Sequence, residues 1–199
     1  MSVSVEDTIA MRHETKGGSK AHIARRLFHV SMIIVPFFYY YFFIPRVSSK
    51  ILHLIIIGFI FFVFLFEKLR IRARLVLFGQ RLHEATHIST FAWTMLALGI
   101  TLFFAPVHFA VPIIATCALV DPLVGEMRLR RANTVLTVFI GVLCALVIWF
   151  LCAQHYHFPL WYAVIIAPIT IAAEWPSLKW IDDNALMLLA PLLMVFIVR

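Results

Sequence analysis

From Thr134 to Ala153 the chain runs 20 residues without a charged side chain. That is the length an α-helix needs to cross a hydrocarbon core ~30 Å thick. Lipid offers no water to satisfy stray backbone N–H and C=O groups, so such a run folds as a helix or as part of a closed barrel. Barrel strands alternate apolar and polar residues, and this run does not. Six further apolar runs lie at about 27–44, 51–66, 91–105, 107–120, 160–173 and 185–198. The expected architecture is therefore all-α, a polytopic membrane bundle of about seven transmembrane helices. Composition agrees, at 63% hydrophobic and 14% charged, against roughly 45–50% and 25% in soluble domains.

Residues 1–24 are polar and include Gly17 and Gly18, which predicts a disordered cytoplasmic tail. They have no apolar core, which argues against a cleavable signal peptide. Residues 25–199 then form a single transmembrane domain. Within it, Lys68, Arg70, Arg72, Arg74 and Arg81 are interspersed with Ile71, Leu75, Leu77 and Phe78, a pattern that predicts an interfacial amphipathic helix over 67–90. Cys117, Cys144 and Cys152 sit in apolar runs without a CxxC pair, and read as small buried hydrophobes.

Seven spans place the tail and the loops after spans two, four and six on one side. All of the 17 Lys and Arg lie there except Arg46, Lys50 and Arg199, so the positive-inside rule makes that side, and the N-terminus, cytoplasmic. The net charge of +7 thus follows from topology and anionic headgroups and not from nucleic acid. All ten acids fall on the same side, although acids contribute little to orientation. A cytoplasm-facing site holding cations and carboxylates accounts for both. The expected setting is a bacterial inner membrane or the endoplasmic reticulum.

The most conspicuous acid is Asp121, at the end of the apolar run Val111–Val120 and ahead of Pro122, Gly125, Glu126, Arg128, Arg130 and Arg131. An ionised Asp near hydrocarbon costs roughly 2.5–3.5 kcal/mol on the insertion scale and is a functional candidate by default; the plainer reading is a cap for a following helix. Other candidate carboxylates are Glu126, Glu174, Asp182 and Asp183, the last two also suited to capping the final span with Asn184. Candidate cations are Arg25, Arg26, Arg70, Arg81 and Arg128, with His29 at the mouth of span one. Carboxylates beside arginines suit metal–polyphosphate chemistry, because Mg²⁺ takes one or two carboxylates plus phosphate oxygens while arginines neutralise the remaining charge. No Walker-type glycine loop is present. His83-Glu84-Ala85-Thr86-His87 is a literal HExxH, which on a helix would bind zinc with Glu84 as general base.

In their order and spacing these motifs resemble the dolichol kinase, phytol kinase and CTP-dependent diacylglycerol kinase family of polytopic lipid kinases. The matching elements are Arg25-Arg26-Leu27-Phe28-His29, Glu67-Lys68-Leu69-Arg70, Arg81–Glu84, Asp121 at the end of an apolar helix, and Glu174, Pro176, Asp182, Asp183 and Asn184 before the last span. They cover about residues 22–198. The resemblance implies a lipid-alcohol kinase using a nucleoside triphosphate, CTP by analogy, with a polyprenol, diacylglycerol or similar acceptor. It implies Mg²⁺ on Asp121, Asp182, Asp183 and Glu126. Phosphate and substrate contacts fall to Arg25, Arg26, His29, Arg70, Arg81, Arg128 and Asn184, and catalysis to Asp121 with Glu84 or Glu174 as proton acceptor. The chain departs from the family at Val120-Asp121-Pro122-Leu123-Val124-Gly125, where G-D-x-x-A-x-x-x-G is usual. It departs again at Asn133–Thr137, where many members carry a nucleotide-associated Lys and Glu. A zinc protease and a non-catalytic lipid- or nucleotide-binding relative are the alternatives.

Overall fold

A computed structural model describes residues 16–175, 178 and 181–198, without the side chains of Ser19 and His83. The expectation for residues 1–15 and the motif position Pro176 lie outside the described residues. The rest is a helical membrane bundle: α1 (Gly18–Ser31), α2 (Ile34–Phe37, widening into a π-turn over Phe38–Phe43), α3 (Ser49–Arg72), α4 (Thr90–Phe104), α5 (Val107–Leu129), α6 (Thr134–Tyr156), α7 (Trp161–Ala172) and α8 (Asp183–Val198). Four apolar helical stretches are long enough to cross a membrane: Lys20–Phe43, which joins α1 to α2, together with α3, α5 and α6. Helices α4, α7 and α8 are apolar but shorter. At 1.5 Å per residue they span less than a ~30 Å core, so the seven apolar runs are not seven equal crossings.

Helix α5 is the centre. In its most apolar stretch 67% of residues are buried, against 17–22% in the other three long spans. It packs against α1, α2, α4, α6 and α8. Small residues at Ala110, Ala115, Thr116, Cys117 and Ala118, all buried, let neighbouring backbones approach, as membrane interfaces require when lipid supplies no hydrophobic drive. From α6, Gly141 meets α5 so closely that an added Cβ would sit 3.0 Å from Val124. The outer faces of α3 and α6 expose Phe61, Phe62, Phe64, Phe139 and Phe150, the surface that lipid covers.

Three boundaries differ from the sequence expectation. Helix α1 begins at Gly18, inside the stretch expected as tail. Helix α3 runs on to Arg72 and is followed by irregular chain with a single tight turn at Leu82–Ala85, so no amphipathic helix forms over 67–90. Helix α5 does not stop at Asp121 but continues to Leu129 with Pro122 inside it. Helices propagate cheaply once nucleated, so they continue past the apolar run that starts them. Asp121 is accordingly a mid-helix residue and not a cap.

The two ends of the bundle differ in chemistry. At one end Tyr40 donates to the carbonyl of Ala105 (2.5 Å), Tyr41 and Tyr156 share a hydroxyl contact of 3.0 Å, and Phe109 packs on Phe158 and Tyr162. This is an aromatic belt of the kind found at headgroup level. All the ion pairs among the described residues lie at the other end.

Candidate functional site

The polar end is built around the last turns of α5. His29 on α1 holds Nε2 3.6 Å from an Asp121 oxygen, and its Nδ1 lies 3.2 Å from the carbonyl of Arg25. Further along α5, Glu126 pairs with Arg26 of α1 and accepts from Arg130 Nε at 2.8 Å. Arg128 turns the other way: its Nη1 reaches Glu174 Oε1 at 3.2 Å, and its guanidinium lies over the Trp175 ring, 4.3 Å from the centroid.

The start of α8 completes the acid group. Asp182 caps this helix, accepting the Asn184 backbone N–H on Oδ2 (3.3 Å), and also accepts from the Asn184 side chain (2.9 Å). Its second oxygen accepts from the Thr90 hydroxyl at 3.0 Å, which ties α8 to the start of α4. The capping reading is thus realised, and the same carboxylate also joins the cluster. The charge of Asp183 acts on Asp121, Asp182 and Glu174, and that of Asp121 acts on Glu174. Four carboxylates from α5, the α7–α8 connection and α8 therefore share one neighbourhood, over the buried Cys117. Burial pushes Glu174 up to about 8, with Arg128 opposing the rise and Asp121 and Asp183 adding to it. Burial, then the Asp183 charge, pushes Asp182 up to about 7, while the Thr90 hydroxyl opposes.

Arg25 faces this group, with Arg81 close enough for the two charges to oppose each other. Arg25 feels the charges of Arg81, Glu84, Asp182 and Asp121, yet among the described residues neither Arg25 nor Arg81 forms an ion pair. Arg70 is different. It is buried, grips Glu67 with two hydrogen bonds (3.0 and 2.7 Å), and donates to the carbonyls of Leu75 (2.7 Å) and His87 (2.6 Å). Glu67 in turn accepts from the Ser89 N–H, and Ser89 Oγ caps α4 through the Ala92 N–H. Arg70 is a structural joint whose donors are spent inside the protein, and this overturns the expectation that it binds phosphate. Glu126 likewise has its oxygens in the pairs with Arg26 and Arg130, not in the contacts expected of a metal ligand.

A cavity of about 400 Å³ lies between α1, α4, the end of α3 and the 77–80 loop. Arg25, His29, Glu84 and Thr90 are on its wall, together with Phe28, Phe66, Phe78 and Phe91. Glu84 is buried and accepts the Arg81 backbone N–H at 3.3 Å. The turn Leu82–Ala85 gives way to irregular chain before α4, so 83–87 does not form the helical face that an HExxH zinc site requires.

Among the described residues no three His, Cys, Asp or Glu side chains converge as ligands of one metal ion. Mg²⁺ asks less, one or two carboxylates with the rest from phosphate and water. The neighbouring Asp121 and Asp183, with buried oxygens on Glu174 and Asn184 that no described group satisfies, fit that demand. One contributor, Thr90, escaped the sequence reading, and Glu67–Arg70 was read as a motif but not as an internal joint. Thr90 carried only the signal of a Ser-Thr pair opening an apolar run, and Glu67–Arg70 is an i,i+3 pair legible on any helix. Comparison with protein-family models, curated proteins and solved structures finds no match to this chain.

Proposed function

We propose that the protein is a nucleotide-dependent lipid-alcohol kinase, with its site on the cytoplasmic face of an integral membrane bundle whose N-terminus is cytoplasmic. The observation that carries this reading is the meeting of Asp121, Asp182, Asp183 and Glu174 with Arg25 and Arg128 at one end of the helices, next to a cavity walled by both charged and aromatic side chains. CTP as donor, and a polyprenol, diacylglycerol or related alcohol as acceptor, come from the family resemblance.

Each group has a role that its surroundings suit. Arg25 and Arg81, which form no ion pair among the described residues, receive phosphate oxygens, and Arg128 steadies the transferring group from the Glu174 side. Arg26 and His29 hold Glu126 and Asp121 in place. Asp121 and Asp183, with Asp182 and Asn184 beside them, would hold a Mg²⁺. When bound, that ion neutralises the charge on the phosphate oxygens. The lipid hydroxyl oxygen bonds to the terminal phosphorus as the bond to the bridging oxygen breaks, and the hydroxyl proton passes to Glu84 on the cavity wall. A loose transition state asks little of this base.

The test is radiolabelled CTP and ATP offered to the reconstituted protein with a panel of lipid alcohols. Wild-type protein transfers label, and Asp121→Asn abolishes transfer while keeping the folded bundle. Undiminished transfer by Asp121→Asn overturns the assignment. Nucleotide binding without transfer by wild type would make the chain a non-catalytic relative.

A further inference from the structure

We infer that the irregular segment after α3, residues 73–82, lies in the bilayer surface at the charged end of the bundle and, with Lys68 and Arg72, binds anionic phospholipid headgroups. The inference stands apart from the kinase reading and needs neither nucleotide nor acceptor.

The end of α3 supplies the level. The helix has 24 residues, about 36 Å at 1.5 Å per residue, so it overshoots a ~30 Å core by about one turn. Phe61, Phe64, Lys68 and Arg72 follow one another at three- and four-residue spacings, which puts them on one face, and all four are exposed. A lipid-facing stripe therefore ends in two cations at headgroup depth.

The chain then turns along the surface. Arg74, at φ 50°, takes the left-handed position of a Schellman turn, its N–H on the Ile71 carbonyl and the Leu75 N–H on that of Arg70, 3.0 Å each. Glycine is the ordinary choice at that position; here it carries a third cation instead. Buried Arg70 donates to the Leu75 carbonyl, and Lys16 Nζ to the Val76 carbonyl, both at 2.7 Å. Held from inside by its backbone, the segment leaves Leu75, Leu77, Phe78 and Leu82 exposed at 54%, 40%, 62% and 60%. Apolar side chains gathered beside cations mark a membrane-surface site.

Charge selects the lipid. No acid stands between Glu67 and Glu84 in the sequence; Glu67 is spent on Arg70, and Glu84 is buried. Lys68, Arg72 and Arg74 form no ion pair among the described residues. Three exposed cations with no acid among them suit a headgroup of net negative charge. A zwitterionic headgroup brings its own cation and gains less, and a free phosphate has no acyl chains to lay beside Phe61 and Phe64.

The experiment uses the full chain in nanodiscs and two photoreactive lipids, a phosphatidylglycerol and a phosphatidylcholine with the same diazirine on one acyl chain. The phosphatidylglycerol labels peptides covering residues 64–82 at least ~10-fold more than the phosphatidylcholine, and each cation removed lowers that preference by up to about fivefold. Peptides from the exposed apolar face of α6 label equally with both. Arg74→Gly keeps the turn while deleting its charge, and Lys68→Gln/Arg72→Gln/Arg74→Gly brings the two lipids to parity. If the triple variant does not fold, salt decides on wild type: going from about 0.1 M to about 1 M shortens the screening length from ~10 Å to ~3 Å and erases the preference. Equal labelling of residues 64–82 by the two lipids on wild type overturns the inference, as does a preference that survives both Arg74→Gly and high salt. Loss of the preference to inorganic phosphate at constant ionic strength would assign the cations to a free anion, and the lipid assignment falls.

Discussion

Arg70→Met separates the structural joint from a phosphate ligand. The substitution keeps the apolar stem and removes four hydrogen bonds, two to Glu67 and one each to the carbonyls of Leu75 and His87. It leaves Glu67, 5% exposed, as a buried charge with only the Ser89 N–H against it. Breaking one side of a buried pair costs about 3–5 kcal/mol. At roughly 2–4 °C per kcal/mol for a chain of this size, the unfolding midpoint in detergent falls by about 6–20 °C. The double variant Glu67→Gln/Arg70→Met removes the orphaned charge and recovers part of that loss. It does not recover all of it, because the hydrogen bonds to the Leu75 and His87 carbonyls, about 0.5–1.5 kcal/mol each, stay broken. Thermal unfolding followed by tryptophan fluorescence reads both effects. At low temperature, where the single variant is still folded, its nucleotide KM is unchanged. An unshifted midpoint with a raised nucleotide KM would refute the reasoning and return Arg70 to the phosphate site.

Two further outcomes are expected. Glu174 at about 8 and Asp182 at about 7 lie above the ordinary carboxylate values of about 4, so the folded state keeps protons that the unfolded chain has already lost. Their contribution is fully present below about pH 4 and drains away as pH rises through 7 to 8. Glu174→Gln flattens the fall in unfolding midpoint between pH 5 and 9, and an unaltered slope would contradict the burial argument. At Gly17 the backbone has φ of 104°, and a Cβ would lie 2.4 Å from the Phe78 ring. Gly17→Ala therefore costs about 1 kcal/mol for the backbone plus the collision. Phe78→Ala in the same chain relieves only the ring's share of that collision and leaves the Ala21 Cβ 2.9 Å away, as a double-variant cycle of unfolding midpoints reveals.

The bundle was legible because lipid leaves the backbone so few choices: a charge-free run of 20 residues from Thr134 to Ala153 becomes α6. Helix ends were less legible. Arg72 and Leu129 are polar-end termini set by propagation beyond the apolar run, and apolar periodicity does not register them. The sequence also brings Arg25, Arg70 and Arg81 forward on equal terms as cations at one face. What separates them is the local partner. Arg70 has Glu67 one helical turn back, while Arg25 and Arg81 form no ion pair among the described residues and Arg25 feels Arg81 and the acids at longer range.

The continuation of α5 through Asp121 sorts the remaining charges. At 3.6 residues per turn, Arg128 falls seven positions after Asp121 and so returns to almost the same face. Glu126, five positions on, faces well over a third of a turn away. Asp121 and Arg128 are accordingly the pair whose charges reach Asp183 and Glu174, whereas Glu126 is left to Arg26 and Arg130. A helix broken at Asp121 would scatter these side chains and give the acids no common neighbourhood. Pro122 supplies no N–H to the Ala118 carbonyl, yet the helix holds there because five neighbouring helices enclose α5. The charged end is therefore a consequence of how the apolar core packs: the same small residues that let α5 sit at the centre bring the last two turns of that helix within reach of α1 and α8.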